Sequence, residues 1–357
     1  MQNNSRKIAV FISSGIGNSI MLIPLLKILK ERGDFVSLIL NSRFIDKEFL
    51  VFNNFPYDEI ITLTNRLSFI KYTNAFEISY LDFSSSSINN LIIAKTISEK
   101  VIAMRNKRKL IPGVTYIKPQ NDIHSVVQNI WLVRNSLKEK GFELGKMKLF
   151  PSRGKIGKRF NLDIRNKLIV AVQVSSGNLK SLYKNWPIKY WIEFFDLIDN
   201  DYQDYLFVLL GDVHEVSIGK KIMNETKNEN IISLIGQTSL EQASIIVNTS
   251  EFYIGLDSGF MHLAVAYGKP TFTIWGGSNY NLFGYDKFDD KNHFINKINK
   301  NCHPCNSWIG KNTTKVLNPN SCPDRECLTE LNPKLVYSNF LNFLKHASIH
   351  PSSSSQK

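Results

Sequence analysis

The segment Gly255-Leu256-Asp257-Ser258-Gly259-Phe260-Met261-His262-Leu263-Ala264 puts an acid, a hydroxyl, a glycine and an imidazole where a short apolar run gives way to a helical pattern. A helix that starts there offers free backbone N–H groups and the positive end of its dipole, which suits a diphosphate. Asp257, Ser258, Gly259 and His262 all fall near that start, and an imidazole N–H could donate to a phosphate oxygen. The plainer alternative is a helix-capping Asp with a core His. Lys180-Ser181-Leu182-Tyr183-Lys184-Asn185-Trp186-Pro187 follows another apolar run. A lysine on such a loop neutralises a phosphate as a point charge, or is simply solvated, while Trp186 and Pro187 start the next helix. Thr238-Ser239-Leu240-Glu241 reads as a helix cap with an acid in the first turn, or as a carboxylate for a ribose diol. Gly15-Ile16-Gly17-Asn18 is a tight strand-to-helix turn through which a backbone approaches a ligand closely. With Ile at position 20 it lacks the third glycine of the dinucleotide fingerprint.

The four cysteines of the chain lie at Cys302, Cys305, Cys322 and Cys327, a Cys-x2-Cys pair and a Cys-x4-Cys pair separated by 16 residues. Two close thiol pairs flanking a loop match a tetrahedral thiolate site for Zn or Fe. Two disulfides are the alternative, disfavoured in a reducing compartment. Their distance in sequence from the other motifs gives them a structural role, stapling an irregular loop.

Positioning these residues requires strands alternating with helices. Lys7–Ile12, Phe35–Leu40, Glu59–Leu63 and Glu77–Phe83 read as strands, with a helical face from Ile20 to Leu29 closed by Gly33. Pro24 falls in the first turns of that helix, where it costs little. A Gly- and Lys-rich stretch, Lys148–Asn161, interrupts the pattern. The rhythm resumes with strands at Leu168–Val174, Leu206–Leu210, Ile231–Leu234, Glu251–Gly255 and Thr271–Trp275. Helices come between them at Ile188–Ile198, Glu215–Asn224, Leu240–Val247 and Ser258–Tyr267, and a last helix runs from Pro333 to Lys345. This order predicts two α/β domains with parallel sheets, residues 1–155 and 156–345, followed by a disordered Ser-rich tail, 346–357. A ligand is expected outside the carboxyl ends of the strands, between the two halves.

The 357 residues are 43% apolar and 11% aromatic, enough for two cores. No apolar run reaches the ~18–20 residues of a membrane span, and no secretory leader is recognisable. A cytoplasmic protein is expected. The net charge of +13 is one-sided: residues 1–160 hold 25 Lys and Arg against 12 Asp and Glu, and the remainder 19 against 19. A basic first half, with the run Arg105, Lys107, Arg108 and Lys109, points to an anionic partner such as a phosphorylated glycolipid or a membrane surface. Nucleic acid is excluded by the lack of interleaved aromatics and of any recognisable binding module.

Taken together, Ser13–Pro24, Leu81-Asp82-Phe83, His124–Val127, Lys184–Trp191, Gly211, Ser239–Glu241, Asp257–Gly277 and Phe283-Gly284 resemble, in order and spacing, glycosyltransferase family 9, the ADP-heptose heptosyltransferases. The resemblance runs from Lys7 to about Leu344 and implies the GT-B fold, two Rossmann-like domains facing each other across a cleft. It implies inverting transfer without a catalytic metal. ADP-heptose is the implied donor, bound by the C-terminal domain. A lipopolysaccharide core or another anionic glycan is the implied acceptor on the basic N-terminal domain, with peripheral contact at the inner membrane. Residue by residue, Lys184 matches the family's phosphate-neutralising lysine, Glu241 its ribose-holding carboxylate, and Asp257 to His262 its segment at the donor diphosphate, with Gly17 in the first glycine turn. The family has Asp as general base at the end of that turn; this chain has Asn18. An amide takes no proton, so Asp82 or Asp257 serves as base, or Asn18 only orients the hydroxyl, or the chain binds nucleotide sugars without turnover. Relatives that heptosylate autotransporter proteins carry a similar four-cysteine iron site, which makes a protein acceptor the alternative.

Overall fold

The computed structural model describes residues 5–12, 15–40, 47–63, 67–106, 111–134, 167–176, 179–198, 202–305 and 322–349. The chain divides into two compact units, Met1–Glu143 and Leu144–Lys357. The Lys148–Asn161 stretch and the expected domain boundary at 155 lie outside the described residues.

In the first unit, β1 (Lys7–Ile12), α1 (Ile16–Glu31), β2 (Phe35–Leu40), α2 (Lys47–Phe52) and β3 (Glu59–Thr62) are followed by β4 (Phe76–Leu81), α3 (Ile88–Ile97), β5 (Ser98–Met104), β6 (Val114–Ile117) and α4 (Ser125–Arg134). All pairings are parallel, in the order β3-β2-β1-β4-β5-β6. The central strand β1 sets Ile8 beside Val36 of β2 and Ile78 of β4. It is buried along all but its first residue, as expected of a parallel strand covered on both faces. Its continuous apolar run makes it visible in the sequence.

α1 begins at Ile16, a full turn before the apolar face that announces it, so Pro24 stands in the helix interior. There it removes one backbone hydrogen bond and is costly, a correction to the expected first-turn placement. The helix is buried from Ile20 to Leu26, and that apolar surface offsets the loss. At its far end Gly33 takes the positive φ of 78° that stops the helix.

The second unit repeats the plan with β7 (Leu168–Val172), α5 (Ile188–Ile198), β8 (Tyr205–Leu209), α6 (Val216–Glu225), β9 (Ile231–Ser233), α7 (Leu240–Thr249) and β10 (Phe252–Leu256). After these come α8 (Gly259–Ala266), β11 (Thr271–Ile274), α9 (Tyr280–Phe283), β12 (His293–Asn296), α10 (Glu326–Thr329) and α11 (Pro333–His346). The parallel order β12-β11-β10-β7-β8-β9 is the same winding as the first sheet. Its core is aromatic: Trp191, Phe194 and Phe195 from α5 meet Phe272 of β11 and Phe340 and Phe343 of α11. Ring pairs such as Phe194–Phe340, 5.7 Å apart and edge-on, each add about 0.5–1.5 kcal/mol beyond burial. α11 ends at His346, and Ala347 and Ile349 pack against this core; residues 350–357 of the expected tail lie outside the described residues.

Each sheet reverses direction once, between β1 and β4 and between β7 and β10. In a doubly wound sheet the loops leaving those strands part to opposite faces and open a crevice at the carboxyl ends. The passage from β1 into the first turn of α1 carries Gly15 to Asn18, and the loop after β4 carries Asp82. The loop after β7 carries Lys184, and the passage from β10 into α8 carries Asp257 to Gly259. The candidate residues thus stand at the two switch points.

Candidate active site

At the second switch point Lys184 Nζ donates to Asp257 Oδ2 at 2.8 Å and to the Asp257 carbonyl at 3.3 Å. The carboxylate is nearly enclosed, 5% exposed, and the ammonium side chain 19%. Burial works to raise the Asp257 carboxyl, yet the Lys184 charge beside it, helped by His262, holds it below the usual carboxylate range. Burial likewise works against the Lys184 ammonium, and Asp257 more than compensates, leaving its pKa raised. The two are therefore a charged pair at neutral pH. An ammonium has three hydrogens; among the described residues two are spent on Asp257, which leaves one for an anion.

The start of α8 lies beside this pair. Ser258 is its N-cap but makes no capping bond with its side chain. Its hydroxyl instead donates to Gln173 Oε1 and lies 3.1 Å from the Tyr253 hydroxyl. Drawing that oxygen aside leaves the first-turn N–H groups of α8 to an external acceptor. Gly255 is required here: a Cβ would stand 2.2 Å from the Tyr253 hydroxyl and 2.9 Å from the Gln173 carbonyl. Gln173 and Tyr253 carry no motif, and only the parallel pairing of β7 with β10 brings them under Ser258.

His262 is buried one turn into α8. Its Nδ1 lies 2.8 Å from the Tyr285 hydroxyl. Burial pushes the imidazole down to about 4, so it is neutral near pH 7, and burial pushes the Tyr285 phenol up, so that stays protonated. Tyr285, 23 residues beyond His262, was invisible to motif reading.

Ser239 caps α7 and accepts from Gln242 N–H, with the Gln242 side chain returning the bond. This is the capping alternative for that motif. Glu241 stands in the first turn of α7, half-buried, at the carboxyl edge of the same sheet.

At the first switch point the Asn18 side chain folds back over the turn, its Nδ2 3.1 Å from where a Gly15 Cβ would be, with Gly17 buried in the helix start. Asp82 is buried at the end of β4. Its carboxylate accepts from Ser84 Oγ at 2.5 Å and from Ser85 N–H at 2.8 Å. Burial outweighs these bonds and leaves its pKa raised. Arg105 of the basic run donates to the Ser86 carbonyl; Lys107, Arg108 and Lys109 lie outside the described residues.

The four cysteines are free thiols. Cys305 and Cys327 are buried, and burial, together with the charges of the other cysteines, pushes them up to about 12 and about 11. Cys305 Sγ points at the Cys302 carbonyl, 3.5 Å away. Among the described residues no group of three or more His, Cys, Asp or Glu stands close enough together to hold a metal ion. The cluster does not stand apart from the other motifs, as sequence distance implied. Cys305 N–H donates to the Gly277 carbonyl, 2.9 Å, and Gly277 N–H donates to the Tyr183 carbonyl, 3.2 Å, next to Lys184. Among the described residues no helix is long and apolar enough to cross a membrane.

Comparison with known proteins identifies the family and the fold. Residues 104–313 match the family model for glycosyltransferase family 9 (heptosyltransferase). Lipooligosaccharide heptosyltransferase 2 of Campylobacter jejuni subsp. jejuni serotype O:2 is 23% identical over 358 residues, 96% of this chain and 100% of that protein. The structure of E. coli ADP-heptose LPS heptosyltransferase II superposes with a TM-score of 0.70 at 17% identity, over 96% of this chain and 99% of that one. The iron-containing dodecameric glycosyltransferase TibC of enterotoxigenic E. coli H10407 is also similar in fold, with a TM-score of 0.55 at 11% identity over 96% of this chain and 76% of that one. With two parallel six-stranded Rossmann-like sheets of the GT-B kind and a family match over more than half its length, this chain belongs to glycosyltransferase family 9, the heptosyltransferases, and is a glycosyltransferase.

Proposed function

We propose that the protein moves a heptose from ADP-heptose to a lipopolysaccharide core, at the cytoplasmic face of the inner membrane. The carrying observation is the convergence of Lys184, Asp257, His262 and the open start of α8 at one switch point. The donor diphosphate sits on the α8 N–H groups and takes the remaining Lys184 hydrogen. Asp257 keeps that ammonium in place and charged. Neutral His262 supplies a further hydrogen bond, and Glu241 holds the ribose diol. The acceptor hydroxyl attacks the anomeric carbon from the face opposite the diphosphate. The carbon–oxygen bond to the β-phosphate breaks, and the leaving ADP carries the developing charge that these donors stabilise.

The hydroxyl proton needs a base, and Asn18 is not one. Of the two carboxylates the sequence offers, Asp257 is committed to Lys184 and held low, whereas burial raises the basicity of Asp82. Asp82 is therefore the proposed base, with Asn18 orienting the hydroxyl. The one-sided positive charge of the first 160 residues supports an anionic core acceptor on that unit.

The four thiols form a donor set of the right chemistry for Zn or Fe, although in the present arrangement they do not stand at ligand spacing. We assign them a structural ion, which would tie the two cysteine pairs together and take no part in transfer. A protein acceptor is the second reading, and it rests on this thiol cluster.

The test is mass-spectrometric product detection with purified protein, a panel of nucleotide sugars, and both core-lipid and protein acceptors. Transfer from ADP-heptose to core lipid, lost in Lys184→Ala, is the expected result. Transfer from another donor, or to protein alone, would replace the proposed substrates. Metal analysis of the same preparation should find about one Zn or Fe per chain; a metal-free, fully active protein would remove the ion.

A further inference from the structure

The segment that carries Lys184 is gripped from two sides by the two arms of the cysteine motif. On one side, Cys302–Cys305 reaches it through the glycine pair after β11. Cys305 N–H bonds to the Gly277 carbonyl, Gly277 N–H bonds to the Tyr183 carbonyl, and His303 Nε2 bonds to the Gly276 carbonyl. No side chain fits in this seam. A Cβ on Gly276 would lie 2.1 Å from the Tyr183 carbonyl oxygen, and one on Gly277 would lie 3.0 Å from the Cβ of Cys305 and 3.3 Å from the Tyr183 ring.

On the other side, the arm from Cys322 to Leu331 holds the residues that follow. Trp186 Nε1 donates to the Leu331 carbonyl at 2.8 Å, and the Tyr190 hydroxyl donates to the Thr329 carbonyl at 3.2 Å. Leu328 fills the space against Gly276, where an added Cβ would lie 3.1 Å from its Cδ1. Tyr183, Trp186, Cys327 and Leu328 are all buried. Lys184 lies between two residues that are each fixed by a different arm, and its own ammonium is paired with Asp257.

We infer that the cysteine motif is a clamp whose two arms, acting through Gly276–Gly277 and through Leu331, position Lys184 against Asp257. The consequence for nucleotide affinity rests on the proposed role of Lys184 at the donor diphosphate; the clamp itself does not. An ammonium on a flexible four-carbon stem loses rotamer freedom when it is held, and a backbone fixed on both sides has already met part of that cost before the donor arrives. Cys305, Gly277 and Trp186 are on this account positioning residues.

Two variants and two readouts test the clamp. Gly276→Ala drives a Cβ into the Tyr183 carbonyl and must displace it; Trp186→Phe removes one hydrogen bond while keeping an aromatic ring, and serves if the first variant folds poorly. The first readout is the reactivity of the Lys184 amine toward a limiting acetylating reagent, measured by peptide mass spectrometry relative to exposed lysines. It should rise several-fold, about fivefold for one lost hydrogen bond, with little change in the other lysines. The second is ADP affinity by calorimetry, which should weaken about tenfold in the wild-type background and not further in Lys184→Ala. Unchanged Lys184 reactivity in the folded variant overturns the clamp. Raised reactivity with unchanged ADP affinity keeps the clamp and removes Lys184 from the donor site. Equal weakening of ADP in the Lys184→Ala background shows that the glycine seam acts by another route, and it too overturns the inference.

Discussion

Breaking the Lys184–Asp257 pair should be far more damaging from the lysine side than from the aspartate side. At 2.8 Å and an effective dielectric of about 20, two unit charges attract by about 6 kcal/mol, of which desolvation of both ions takes back several kcal/mol. A net coupling of about 2–4 kcal/mol is expected. The partners are unequally enclosed, 19% and 5% exposed. Lys184 left alone by Asp257→Asn can turn its ammonium toward water, whereas Asp257 left alone by Lys184→Met cannot. The pH dependence should also invert. In the wild type the Asp257 carboxyl is held below its unfolded value, so its stabilisation is present above about pH 3.9 and is lost as pH falls through the folded value. Without Lys184 burial dominates and raises that carboxyl, so Lys184→Met should regain stability as the pH drops through the raised value. Urea unfolding of both single variants and the double variant, at neutral pH and near pH 5, measures this. Additive costs in the double-mutant cycle, or a Lys184→Met deficit independent of pH, would refute the pairing argument.

Asp82→Asn should lower kcat by about 10²–10⁴, the usual worth of a general base, while Asn18→Asp changes it less than tenfold; the opposite ranking in steady-state kinetics would return the base to position 18. Buried His262 and half-buried His293 are both pushed down to about 4 by desolvation, below the ordinary value near 6.5, so the unfolded chain takes up their protons first. Stability should therefore fall as pH drops from about 6.5 to about 4, by at most about 3 kcal/mol for each group, and His293→Gln should flatten that slope in thermal melts. Gly255→Ala would push a Cβ into the Tyr253 hydroxyl and the Gln173 carbonyl, costing about 1–3 kcal/mol and weakening ADP binding by releasing Ser258; unaltered calorimetric affinity would show that the α8 start does not depend on that network.

Most of the sheet strands and the turns that end them were legible in the sequence because both signals are local. Ile8–Ile12 is an unbroken apolar run, and Val36–Leu40 and Phe252–Leu256 are apolar except at Ser37 and Gly255, the mark of parallel strands buried on both faces, and each is followed by glycine or by a capping residue. Asp257, Ser258 and Lys184 could be named because phosphate chemistry needs those types just after a strand. β5, β6 and β12 escaped the reading. β5 carries Glu99 and Lys100 at its exposed start, and β6 and β12 are four-residue edge strands that are only partly buried, so hydrophobic continuity does not mark them.

What only the tertiary structure decided is who faces whom. Strand order put β7 beside β10 and so set Lys184 on Asp257, 73 residues away. The same pairing drew Ser258 off its helix cap toward Gln173 and Tyr253, and the fold of the loop after β11 brought Tyr285 to His262. It also laid the cysteine arms against the Lys184 segment, where sequence distance had kept them apart. Residue type and spacing specify which groups are available and which local backbone presents them. Their mutual distances, the burial that moves their pKa values, and the contacts between motifs are set by long-range packing, which no local pattern encodes.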